Sequence, residues 1–311
     1  MVKKNNSLTP GNQIYDVDLT ELLRFLLRKK WELLISSIVG LALALALALS
    51  LPNQYEAKIV VTPAKQESGG GLGAIAGQFG GLAAMAGLNI GKAGGRTDEA
   101  IELLKSWPFM EVFINKYQIK PQIFAAKNWD KKNHQLILND SIYEESTKKW
   151  LKDFGDGKGV EPSSWKAYKA LSKKIKITQD AKTNLITIKV EHFSPVLSSL
   201  WARLLLEEAN RHFQKMDIIE AQNNIEYLRS KIGETSVAEM HNVFYSMIEN
   251  QTKTLMLAEV SNEYLLKTVV PAMEPEEKSQ PQRAVICILG WMLGGGLGLL
   301  FYTLGYIIRR T

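Results

Sequence analysis

Two long stretches without a charged residue stand near the ends of this chain. Leu33 to Leu51 reads LLISSIVGLALALALALSL, and Ala284 to Ile308 reads AVICILGWMLGGGLGLLFYTLGYII. Each has about the length an α-helix needs to cross roughly 30 Å of hydrocarbon at about 1.5 Å per residue. The residues between them are polar enough to face water, and about 230 of them suffice to bury a core. The expected fold class is an α+β membrane protein. Two transmembrane helices, 31–51 and 285–308, flank a water-facing α/β base with a long helical stalk or hairpin, and both termini lie on one side of the membrane.

The location of charge orients this arrangement. The formal net charge is +6. Lys3, Lys4, Arg24, Arg28, Lys29 and Lys30 precede the first apolar segment, against Asp16, Asp18 and Glu21, and Arg309 and Arg310 follow the second. Basic residues on both outer flanks place segments 1–30 and 309–311 in the cytoplasm by the positive-inside rule. Residues 52–284 are then periplasmic, or outside in a cell with one membrane. A nucleic-acid partner is not expected, because the basic excess belongs to the membrane flanks rather than to the water-facing part. The one cysteine, Cys287, lies within the second apolar segment and offers no intramolecular disulfide. A cleaved signal peptide is the rival reading of the first segment, with Ala46-Leu47-Ala48 as a small-residue triplet, but the apolar run exceeds the usual length.

Small residues recur every four positions in both segments: Ser36, Gly40, Ala44 and Ala48 in the first, Gly290, Gly294 and Gly298 in the second. Such ridges let helix backbones approach closely in lipid. The two helices are therefore expected to pack through them, within one subunit or between neighbours. Ahead of the first segment, Asp18 and Glu21 form a capping-box pattern for an amphipathic helix striped with leucines.

Alternation predicts a strand over Tyr55 to Pro63. Residues 68–95 are an apolar, Gly-rich insert with no charge before Lys92. Helices are expected over Thr97 to Ser106, with Thr97 as N-cap, and over Pro108 to Tyr117. Residues 119–140 are ambiguous, Ile142 to Phe154 reads as a helix, the glycines at 155, 157 and 159 mark a turn, and Ser163 to Lys173 reads as a helix. Two period-two runs, beginning at Lys174 and Leu185, make a hairpin that joins the strand near Ile59. After Ser194-Pro195 the pattern is helical to Lys267. A single rod would end too far from the second apolar segment, since the dozen or so residues left reach at most about 50 Å. A helical hairpin is expected over 195–266 instead, turning near Gly233, a C-cap, and Ser236 with Glu239, a capping box. Asn223, Asn224, Asn242 and Asn250 dilute its apolar face and suggest contacts between subunits.

Catalytic patterns are weak. His134, His192, His212 and His241 lack metal-ligand spacing. Glu207-Glu208 and Asp98-Glu99 are adjacent pairs that diverge on a helix. The tryptophans at 107, 129, 150, 165 and 201 suit core packing, with sugar stacking as the alternative. No catalytic, metal or cofactor-binding residue is expected, and no enzyme.

Pro271, Pro275, Ser279 and Pro281 lead through Arg283 into Gly294, Gly295, Gly296 and Gly298. Prolines at this spacing forbid helix and favour an extended, semi-rigid segment. This pattern resembles the Wzz-type chain-length determinants, the polysaccharide co-polymerases of the bacterial inner membrane. The opening Asp-Leu-x-Glu-Leu-Leu-Arg from Asp18 is similar as well. The resemblance implies a homo-oligomeric ring or bell with an α/β base and long helices. It also implies control of the modal length of a surface polysaccharide, lipopolysaccharide O-antigen first, made by a Wzy-type polymerase. The nascent glycan and membrane lipid are further expected partners. No G-x-x-x-x-G-K-[ST] occurs, so a fused kinase is not expected. The alternatives are a co-polymerase for capsule or exopolysaccharide working with a separate kinase and an outer-membrane channel, and, more distantly, a two-helix periplasmic receptor.

Overall fold

The computed structural model describes residues 29–64, 95–155, 157 and 159–310. The amphipathic helix expected before Lys30 and the Gly-rich insert lie outside the described residues, apart from Gly95. The chain divides into two compact units, Met1–Leu51 with Pro281–Thr311, and Pro52–Gln280.

The first unit holds α1 (Lys30–Ser50), and its other helix spans Arg283–Arg310. Both are long and apolar enough to cross a membrane, and few of their side chains are covered by protein.

The second unit contains β1 (Tyr55–Pro63), α2 (Gly95–Lys105), α3 (Trp107–Tyr117), α4 (Lys120–Phe124), β2 (Ala126–Asp130), β3 (Gln135–Leu138), β4 (Tyr143–Glu144) and β5 (Lys149–Trp150). It continues with α5 (Ser164–Ser172), β6 (Ile175–Gln179), β7 (Ile186–His192), α6 (Pro195–Glu234), α7 (Ala238–Val260) and β8 (Leu266–Val270). The helix Arg283–Arg310 is accordingly α8.

The core is an antiparallel sheet of order β6-β7-β1-β8. Its period-two pattern is realised directly: Tyr55, Ala57, Ile59 and Val61 face inward opposite His192, Val190, Ile188 and Ile186. The outward face carries like charges in direct register, Glu56 with Glu191 and Lys58 with Lys189. Diagonal pairs offset this repulsion: Lys189 reaches Glu56 at 2.8 Å and Lys176 reaches Glu191 at 3.0 Å. The first half of α6 crosses the inward face. Ser194 caps it by accepting from Leu197 N, and Trp201, Leu205, Leu206, Ala209 and Phe213 recur at helical spacing as its buried stripe. Each of the larger side chains among them contributes about 1.5–3 kcal/mol on burial.

His192 is fully buried within this core. Its Nδ1 accepts from Ser194 N at 3.0 Å, so Nε2–H is the donor to the Gln122 carbonyl at 3.1 Å, and the Trp201 ring lies tilted against it at 4.8 Å. Burial, against these hydrogen bonds, lowers its pKa to about 4. Protonation would set a second N–H against the Ser194 amide. The unfolded chain takes up this proton near pH 6.5, the folded one only near pH 4. Stability should therefore be complete above pH 6.5 and fall by about 3 kcal/mol as pH drops towards 4. Denaturant midpoints of the detergent-solubilised chain between pH 7.5 and 4.5 should show this slope, and His192→Asn should flatten it.

Several expectations are corrected. Ile142 to Phe154 is no helix. Tyr143 and Trp150 pair across the β4–β5 hairpin and close a small aromatic cluster with Phe124 and Phe154. The polar turn between them mimicked helical spacing, and tertiary aromatic contact decided otherwise. Residues 119–140, left open by the sequence, form α4 and the β2–β3 hairpin. Thr97 is buried inside α2, which already begins at Gly95. Gly233 stays within α6, whose C-cap is Thr235. Ser236 does not cap α7; its N-cap is Val237, without a side-chain hydrogen bond. The helical pattern stops at Val260, and Leu266–Val270 joins the sheet as an edge strand.

Candidate assembly interface

Three features of this chain bear on assembly: the apolar helix pair, the Pro-rich segment, and the α6–α7 hairpin.

α1 and α8 run antiparallel with their small residues in contact. Ser36 Oγ donates to the Gly294 carbonyl at 2.6 Å. A Cβ on Gly40 would stand 2.5 Å from the Gly290 oxygen and 2.7 Å from the Gly294 Cα, and one on Gly294 would stand 2.7 Å from the Ser36 oxygen. A Cβ on Gly290 would collide with the Ala44 methyl, and one on Gly298 would lie 2.7 Å from Ser36 Oγ. Ala48 is fully buried. Gly295 faces the Ser37 hydroxyl, whereas Gly296 has no neighbour within 4 Å. The structure thus brings Ser36, Gly40 and Ala44 against Gly290, Gly294 and Gly298 within one chain. Gly296 stands apart.

Pro271 and Pro275 lie on an irregular stretch after β8. It is clamped at its end, where the Gln54 carbonyl accepts from Ser279 N at 2.9 Å, Ser279 Oγ at 3.1 Å and Gln280 N at 3.3 Å. Pro281 opens the second segment of the unit that contains α8, and Arg283 is the first residue of that helix.

The hairpin is held at its root by a polar stripe that sequence reading missed. Asn210, Gln214 and Asp217 lie on one face of α6 at i, i+4 and i+7. Asn210 Oδ1 accepts from Leu265 N at 3.0 Å and Leu266 N at 2.8 Å, while Nδ2 donates to the Leu266 carbonyl at 2.9 Å. Gln214 donates to the Ser261 carbonyl. Both carboxylate oxygens of Asp217 accept from Arg96 at 2.7 Å, and Oδ2 also accepts from the Tyr264 hydroxyl. Although burial opposes the charge of Arg96, its hydrogen bond and ion pair with Asp217 prevail and raise its pKa. This stripe fixes the point where the chain returns from α7 to the sheet. Its sequence signal was the polar spacing on an otherwise apolar face. Beside it, Glu208 accepts from Lys116 and the Tyr117 hydroxyl, both at 2.6 Å, and from Arg211. Burial works to raise the Glu208 pKa, but these donors hold it below the usual carboxylate range.

Beyond Asp217 the hairpin has little cover. α6 buries only Ala221 and Leu228 there, and α7 buries only Ala258 along its 23 residues. Met216 and Ile219 are exposed, as are Val243, Met247, Met256 and Val260. Val260 is 82% exposed. Of the expected Asn residues, Asn223 and Asn242 are exposed, and Asn224 and Asn250 are half-buried.

Among the described residues no group of three or more His, Cys, Asp or Glu is placed to hold a metal. Asp153 Oδ1 instead accepts from the amides of Gly155 and Gly157 in a turn where three glycines take positive φ.

The model of the chain length determinant family, Wzz, matches residues 15–117. No curated protein matches the chain. Two solved structures are similar to this chain. A full-length bacterial polysaccharide co-polymerase is 14% identical, with 94% of this chain and 99% of that chain covered at a TM-score of 0.40. A fragment of WzzB, a polysaccharide co-polymerase from Salmonella Typhimurium, is 12% identical, with 73% and 100% covered at a TM-score of 0.27. The Wzz match spans α1, β1, α2 and α3, so the polar stripe and the exposed hairpin lie beyond it.

Proposed function

We propose that this chain is a non-catalytic scaffold of the bacterial inner membrane that sets the modal length of a surface polysaccharide, O-antigen first, with a Wzy-type polymerase. Its Pro52–Gln280 unit faces the periplasm and both termini face the cytoplasm. The observation that carries this reading beyond the family match is α7: a 23-residue helix with one buried residue and a row of exposed Val, Met and Leu side chains. Exposed apolar area on this scale marks an interaction surface. A second copy of the chain is the natural occupant, because repeated subunits give the geometric work of a length gauge and bury this surface at the same time. The polymerase is assigned to the exposed outer sides of the helix pair, because the glycine ridge of α8 is already covered by α1.

Deletion of the gene should change the length distribution of the surface glycan on a gel, and an unchanged distribution defeats the reading. A reporter fused after Thr311 should be active in the cytoplasm and silent in the periplasm. Replacing Met256 and Val260 together by Glu should lower the native mass of the detergent-extracted protein from an oligomer to smaller species. The unfolding free energy of the single chain should change by less than about 1 kcal/mol, because both side chains are exposed in it. An unchanged native mass would remove α7 as the subunit contact.

A further inference from the structure

Away from the hairpin, the Pro52–Gln280 unit carries a cleft with the make-up of a ligand site. Two adjoining hollows, of about 390 and 450 Å³, share Asn53, Tyr55 and Lys131. Asn128, Trp129 and Asp130 of β2 line the first, and the stretch Glu276 to Lys278 lines the second. Volumes of this size suit a small organic ligand or a short oligomer rather than a single ion.

The lining is aromatic and polar together. Trp129 is half-buried, with the His134 ring edge-on at 6.2 Å and Leu136 opposite it in the β2–β3 ladder. Tyr55 is buried, and the Lys131 ammonium lies 5.6 Å from its ring centroid. Asp130 is locked in place: Oδ1 accepts from Lys132 N at 2.8 Å and Asn133 N at 3.3 Å, and Oδ2 accepts from Asn133 Nδ2 at 2.8 Å. These backbone and side-chain donors hold its carboxyl below the usual range, so it stands as an ionised acceptor. The charges balance, with Lys131, Lys132 and Lys278 against Asp130, Glu276 and Glu277. A phosphate-rich ligand would demand a basic surplus that the cleft lacks. A protein partner would demand more apolar area than Trp129 and Ile137 offer. An aromatic plane beside a carboxamide and an ammonium, Trp129 with Asn53 and Lys131, is the complement of a ring with C–H faces and hydroxyl edges, which is a pyranose.

We propose that this cleft binds a segment of the glycan, with a sugar ring packed on Trp129 and its hydroxyls bonded to Asn53 and Lys131, since Lys131 follows Trp129 by two residues and so shares its side of the chain. The assignment rests on the chain-length reading and names the place where chain and glycan meet. Such a contact lets the scaffold sense the polymer directly instead of acting on the polymerase alone.

The test uses the full chain in detergent. The probe is oligosaccharide released by mild acid from the source strain's own surface polysaccharide, titrated by calorimetry and by saturation-transfer NMR. Wild-type protein should bind saturably. Trp129→Ala should weaken binding at least tenfold, and Trp129→Phe should stay within threefold of wild type. Trp165→Ala, which alters an exposed tryptophan outside the cleft, should change nothing. Thermal midpoints show whether each variant is folded; if Trp129→Ala is not, Lys131→Ala takes its place, with at least a threefold loss expected. Equal binding by the cleft variants, or no binding by wild type, overturns the proposal. If the gene deletion still alters the glycan ladder, such a result removes the cleft and leaves the scaffold reading standing. An unaltered ladder removes the scaffold reading whatever the cleft binds.

Discussion

Replacing Asn210 by Leu should destabilise the Pro52–Gln280 unit by about 4 kcal/mol, as much as a large-to-small truncation in its core. The side chain of Asn210 is buried and pairs with three backbone groups, the amides of Leu265 and Leu266 and the carbonyl of Leu266. Leu has nearly the same volume and supplies none of these partners. Each abandoned group costs about 1–3 kcal/mol, partly regained where water enters. Asn210→Asp separates hydrogen bonding from shape. Its carboxylate still accepts from both amides, but it cannot donate to the Leu266 carbonyl and brings an unpaired charge into the core. Denaturant unfolding of the solubilised chain should rank wild type above both variants. Hydrogen exchange should show β8, the edge strand next to β1, losing protection first. Retention of β8 protection in Asn210→Leu would show that strand pairing alone holds the return segment.

Gly294→Leu should force α1 and α8 apart. A Cβ at this position already lies 2.7 Å from the Ser36 oxygen and 2.9 Å from the Gly40 Cα, both backbone atoms that no rotamer change can move. Ordinary carbon contact needs about 3.5–4.0 Å, so a leucine separates the axes by about 2 Å or more and removes the Ser36 hydroxyl bond to the Gly294 carbonyl. Gly296→Leu is the matched control, since nothing lies within 4 Å of a Cβ there. Spin labels at Leu47 and Leu289, in a Cys287→Ser background, should report a longer or broader distance for the first variant only. Identical distributions would mean that the close approach of the two helices is not needed to hold the pair.

Much of this architecture was readable along the chain. The apolar segments announce themselves through length and absence of charge, and the four-residue spacing of small side chains marks the faces that meet. Strand β1 and the β6–β7 hairpin follow from alternation, because a half-buried strand writes its two faces into every second residue. Ser194 ahead of Pro195 signals the start of α6 by local chemistry alone. Where local and tertiary influences disagreed, the sequence misled. Tyr143 and Trp150 sit at helical separation, but their contact across a hairpin depends on Phe124, which lies well upstream. Leu266–Val270 continues a helical hydrophobic pattern and becomes a strand only because β1 presents an open edge and Asn210 grips its first residues.

The sequence by itself determined that lipid takes up the chain twice and that alternating strands and a long helix make the part between, since these are properties of neighbouring residues. The three-dimensional arrangement alone decided that α7 buries just one side chain, that Asn210, Gln214 and Asp217 hold the return to the sheet, and that residues as distant as Asn53, Trp129 and Glu277 line one cleft. Burial and convergence are relations between remote parts of a chain, and no periodicity along it encodes which remote parts will meet.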